Sequence, residues 1–94
     1  LIITPTVGRV VWVFRPYDTK DATQPEAALV TYVWDDRLIN VAGFDHDGKL
    51  FALTSLVLVQ PDEPKPEGNF AVWMPYQKGQ AAKTEQLEKQ IEKP

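Results

Sequence analysis

Residues 27–60 hold three strand-like runs, AALVTYVW, RLINVAGF and KLFALTSLVLV, parted by two short acidic turns. The turns are Asp35-Asp36 and Asp45-His46-Asp47-Gly48. Asp side chains bond the nearby backbone and tolerate unusual dihedrals, and Asp-Gly is a strong hairpin signal. Three β-rich runs joined by such tight reversals pair with their sequence neighbours as an antiparallel meander or a small barrel. A chain of 94 residues has room for little else.

The flanking sequence extends this pattern. Val7 to Arg15 (VGRVVWVFR) is dense in β-branched and aromatic residues, with Val10, Trp12 and Phe14 alternating with Val11 and Val13. Both faces of that strand are apolar, so it is covered on both sides or offers one side to a partner. Pro16 to Glu26 reads as a long polar loop, a place where binding residues often sit. In the next strand the alternation puts Leu29, Thr31 and Val33 on one face and Ala28, Val30, Tyr32 and Trp34 on the other. Ile39, Val41 and Gly43 share a face of the third strand, where a mid-strand glycine marks a bulge, a corner or a close backbone approach. Lys49 to Val59 gives a fourth strand, with a break expected near Thr54-Ser55. Gln60 to Gly68 carries three prolines and reads as an exposed connector. Asn69 to Tyr76 is the fifth strand, ended by Pro75.

From about Gly79 the sequence becomes helical in propensity, with Glu85 and Lys89 at i,i+4. Its apolar stripe is only Thr84, Leu87 and Ile91, too narrow to hold a helix alone. The expected organisation is a barrel over 4–76 and a helical tail over 77–94.

Composition limits what such a domain does. The apolar fraction of 44%, with ten aromatics, supports a real core. With no cysteine there is neither a disulfide framework nor a thiolate metal site. The longest apolar stretch, Leu50 to Val59, falls far short of the ~20 residues of a spanning helix, so no membrane partner is expected. LIITPTVGR has no basic region or cleavage pattern of a secretory leader, and the chain opens on Leu1 rather than methionine. Residues 1–76 hold ten acids and six bases, a net of −4, which argues against nucleic acid.

No catalytic constellation stands out. His46, the only histidine, lies between Asp45 and Asp47, a ligand set on paper. The hairpin reading takes precedence there, because tight turns seldom converge three neighbouring side chains. Asp35 and Asp36 lack the burial that would separate their pKa values for acid/base work. No nucleophile elbow or phosphate loop occurs, so neither an enzyme nor a cofactor is expected. The aromatics are the better candidates, since Trp and Tyr dominate binding hot spots. Trp12, Tyr17, Trp34 and Tyr76 sit in strands or just past their ends, with Arg37 beside them, and Leu87 and Ile91 lie on the tail. These seven are the candidate partner-binding residues.

VGRVV, PEAALVTYVWDDRLINVAGFDHDGK, TSLVLVQ and WMPYQKGQAAKTE together resemble a group of small proteins encoded by tailed phages and prophages. Those proteins look like compact SH3-like barrels, and the likeness covers roughly residues 4–85. It implies a mainly β fold, a small five-stranded SH3-like barrel with a C-terminal α-helix, and a phage origin. It brings no catalytic residues. The expected role is a non-enzymatic interaction module, acting in the virion or in the host cytoplasm. Its partner would be a virion protein, a host protein or a second copy. The alternative is a small-ligand binder, such as a nucleotide sponge against a host defence signal, using Arg9 or Arg37 with a nearby Trp.

Overall fold

The computed structural model describes residues 1–17 and 24–92, with side chains described as far as residue 88. Five strands close into a barrel: β1 (Val10–Phe14), β2 (Glu26–Asp35), β3 (Leu38–Phe44), β4 (Leu50–Val59) and β5 (Phe70–Val72). One helix follows, α1 (Pro75–Glu92). The fold is mainly β and consistent with a small SH3-like barrel. Neighbours from β1 to β4 pair antiparallel, β5 returns beside β1 antiparallel, and β4 meets β5 in parallel to close the ring.

The inward set follows from the alternation. Val11 and Val13 of β1, Ala28 and Val30 of β2, Ile39 and Val41 of β3, and Leu56 and Leu58 of β4 are buried together with Ala71 and Trp73. Each Val, Ile or Leu side chain among them contributes roughly 1.5–3 kcal/mol by leaving water. Gly43 belongs to the same inward row. A Cβ there would lie 2.7 Å from the Ala27 carbonyl oxygen and 2.7 Å from the Phe51 ring. Glycine is needed because the Ala27 carbonyl and the Phe51 ring together fill the space.

The β2–β3 register shifts twice, at Thr31 and at Trp34, and the β3–β4 register once, and these irregularities change which residues face in. Val30 pairs with Val41 and Tyr32 with Asn40, so Thr31 is an extra residue in β2. Strict alternation puts Tyr32 and Trp34 on the side of Ala28 and Val30. The bulge reverses this: Val33 turns in against the core, while Tyr32 and Trp34 turn out with Leu29. On β4, Ser55 has a φ of 52° beside a shift in the β3–β4 register, and inward packing moves from Leu53 to Leu56. The strand runs on through this kink instead of breaking.

Each end of the barrel has its own closure. At one end Arg15 donates from Nε and Nη2 to both Glu26 carboxylate oxygens, each at 2.7 Å, and its guanidinium lies 4.0 Å from the Phe51 ring centre. At the other end Gln60 is buried and uses its whole amide. Its Oε1 accepts from the Ile3 amide at 2.9 Å and from Trp73 Nε1 at 3.3 Å. Its Nε2 donates to the Ile3 carbonyl at 3.0 Å and the Asp36 carbonyl at 2.6 Å. This ties the N-terminal segment, the β2–β3 turn and Trp73 into one lid. Gln60 is thus a core residue, whereas its proline-rich surroundings suggest an exposed connector.

The helix starts at Pro75, four residues ahead of the Gly79 boundary suggested by propensity. Proline suits the first helical position, where its missing N–H costs nothing. Gln77 Oε1 accepts from the Met74 amide at 2.9 Å, the reach-back half of a capping box. Its Nε2 donates to the Val10 carbonyl at 2.8 Å and so pins the first turn to the barrel. Ala81 packs against the core one turn later, while Leu87 is exposed.

Candidate functional site

The barrel has an outer face as well as a core. Pairing aligns the outward residues of four strands in rows across the sheet. One row runs Trp12, Ala27, Phe44, Leu50. The next runs Val10, Leu29, Ala42, Ala52. Tyr32 and Asn40 follow, with Trp34 beside them. None of these side chains is charged, although outward positions of a small soluble barrel are ordinarily polar. Leu29, Tyr32, Trp34, Phe44 and Leu50 are exposed on this face.

Asn40 organises one end of it. Its Oδ1 accepts from Trp34 Nε1 at 3.0 Å and from the Ser55 amide at 2.8 Å. The indole is therefore held against the sheet, and its one donor is already bonded. Tyr32 meets it edge-on with ring centres 4.8 Å apart. An aromatic pair fixed in this way loses little rotamer entropy when a partner covers it.

The sequence-selected residues divide among four places. Trp12 and Trp34 both belong to the outer face, Trp12 half-buried and Trp34 exposed. Tyr17 is exposed just past the C-terminal end of β1, whereas Tyr76 is exposed in the first turn of α1 at the opposite end of the barrel. Leu87 lies along α1, and the Ile91 and Lys89 side chains lie outside those described. Most of the long loop, residues 18–23, also lies outside the described residues. Leu29, Tyr32, Phe44, Leu50 and the three outward alanines were not singled out from sequence. The alternation that marked a β-strand would have found most of them, had it been read for the outward residues too.

Arg37 is occupied. It grips Glu63 through Nε at 3.0 Å and Nη2 at 2.6 Å, which holds the Glu63 carboxyl below its ordinary range and raises the guanidinium further. Its backbone amide donates to Asp35 Oδ1 at 2.7 Å, so the turn residues are Asp36 and Arg37. Arg9 lines a groove of about 470 Å³ between the N-terminal segment and α1, together with Glu85 and Glu88.

At the second hairpin, donor atoms of Asp45, His46 and Asp47 come within 4.8 Å of one another. Asp45 Oδ1 already accepts from the Asp47 and Lys49 amides, both at 2.9 Å. The Lys49 amide is the main reason its carboxyl sits below the ordinary range. Gly48, at a φ of 80°, completes the reversal. Turn formation accounts for this cluster.

Among the described residues no helix is long and apolar enough to cross a membrane. Comparison with protein-family models, with curated proteins and with solved structures finds no match to this chain.

Proposed function

We propose that this chain is a non-enzymatic protein-interaction module of phage origin, either a minor virion or assembly component or a factor that binds a host protein. The phage assignment rests on the sequence resemblance alone. The interaction reading is carried by one observation: the outer face of β1–β4 is apolar and uncharged across two full rows, with Tyr32 and Trp34 fixed at its margin. Keeping such a surface in water is costly unless something covers it.

The nucleotide-binding alternative has less support. It needs a cation free to meet phosphate. Arg37 is committed to Glu63, and Arg9 shares its groove with two glutamates.

Affinity capture from infected cells, beside mass spectrometry of purified virions, tests the proposal. The wild-type chain should retain a protein that the Tyr32→Ala/Trp34→Ala double variant loses, with circular dichroism unchanged. A chain that retains nothing, is absent from virions and gains melting temperature with a nucleotide would overturn it.

A further inference from the structure

We infer that the uncharged outer face pairs with the same face of a second copy, giving a twofold dimer; this rests on the interaction reading above and names its partner. The size pattern of the two central rows carries the inference. On each strand, one row holds a larger side chain and the other a smaller one. On the β2–β4 meander the pairs are Leu29 and Ala27 on β2, Phe44 and Ala42 on β3, and Leu50 and Ala52 on β4.

Consider the β2–β4 meanders of two copies packed face to face about a twofold axis that crosses the strands midway between the rows. The rotation lays one row of each copy over the other row of its partner, strand on strand. Phe44 then meets Ala42 of the second copy and Leu50 meets Ala52, each contact occurring twice. Leu29 meets Ala27 in the same way. A twofold interface requires this reciprocity, since residue i must contact j while j contacts i. Large side chains opposite small ones let the faces interdigitate at the ~10 Å spacing of stacked sheets.

Area and polarity agree. Leu29, Tyr32, Trp34, Phe44 and Leu50 are 44% to 71% exposed. At about 200 Å² for a large side chain, they offer on the order of 500 Å² before the smaller residues are counted. A standard stable interface covers about 800 Å² per partner. Two donors at this margin are already satisfied: the Trp34 N–H and the Ser55 amide are both bonded to Asn40. The face has no charge to repel its copy and none to attract phosphate or an anionic lipid surface.

Sedimentation velocity on the full chain tests the pairing. A dimer is expected at about 10 µM, a concentration at which an interface of this size ordinarily holds. Leu50→Glu and Phe44→Glu should each weaken it at least roughly tenfold by burying an unpaired charge, with circular dichroism unchanged. Ala52→Leu, larger and still apolar, should weaken it too, because it fills the depression that Leu50 of the second copy occupies. A merely sticky surface would instead associate more tightly. Thr6→Glu adds the same charge off the face and should change nothing. A chain that is monomeric at ~100 µM, or a dimer indifferent to all three face changes, overturns the pairing. A monomer that captures another protein in a Leu50-dependent manner overturns the pairing and leaves the interaction reading standing. A monomer without such capture removes both.

Discussion

At the scale of single residues, Gly43 and Gln60 carry more of the fold than their types suggest. The Ala27 carbonyl and the Phe51 ring occupy the space where a Cβ at Gly43 would go. Gly43→Ala should therefore cost about 1–3 kcal/mol, in contrast to the gain usual for glycine replaced inside a strand. Urea unfolding measures it, and a neutral or stabilising result would mean that Phe51 moves aside freely. Gln60→Leu keeps the volume and removes the amide. The Trp73 indole N–H and the Ile3 amide then lose their acceptor in a buried place. Each such orphan costs about 1–3 kcal/mol, so the midpoint of unfolding should fall sharply. The Gly43 constraint was visible in sequence only in part, because a glycine amid alternating apolar residues marks a bulge, a corner or a close approach, and the structure shows the last of these. Gln60 was not. Its partners lie 57 and 13 residues away in the chain, and the prolines around it suggest exposure.

At the scale of elements, the strands and their short turns were legible because each rests on local chemistry: alternation, Asp side chains and one Asp-Gly pair. The facing of Tyr32 and Trp34 was not, since the bulge at Thr31 arises from the pairing of two strands and leaves no mark in composition. The helix start was readable in principle from Pro75 and Gln77, yet a search by helix propensity passes over a proline. The turn and connector that flank β3 and β4 also give a pH prediction. Glu63 is held low by Arg37, and Asp45 by the Lys49 amide. A carboxyl with a lower value folded than unfolded binds protons more readily in the unfolded chain. Its stabilisation is therefore complete above the ordinary carboxylate range and is lost as pH falls through the folded value. Arg37 stays charged throughout, so the effect lies wholly on the acid side. Melting temperature should fall from pH 6 toward about pH 3, and less steeply in Glu63→Gln. Equal slopes in the two proteins would show that the Arg37–Glu63 pair holds nothing together.

At the scale of the whole molecule, the charges and the apolar outer face are segregated. Strand residues supply the face, while the acids and bases, apart from Glu26 and Asp35 at the two ends of β2, lie in turns, loops, connector and helix. The long axis of 53 Å, against 25 and 23 Å across, reflects α1 reaching past a barrel that it grips by its first turns. The helix therefore extends from one end of the barrel and leaves the sheet face uncovered. Association through that face is driven by removing apolar surface from water, opposed only weakly by the repulsion of two copies of net charge −3. That repulsion is already largely screened at ~0.1 M salt. Raising NaCl toward ~1 M should then leave the dimer dissociation constant within about threefold or tighten it. Dilution calorimetry at several temperatures should give a negative heat-capacity change on association, the marker of apolar burial. Contacts made through α1, whose exposed side chains include Lys78, Lys83 and Glu88, would behave oppositely. They would weaken tenfold or more over the same range and show little heat-capacity change. The sign of the salt response therefore separates the sheet face from the helix as the surface where this molecule meets its partner.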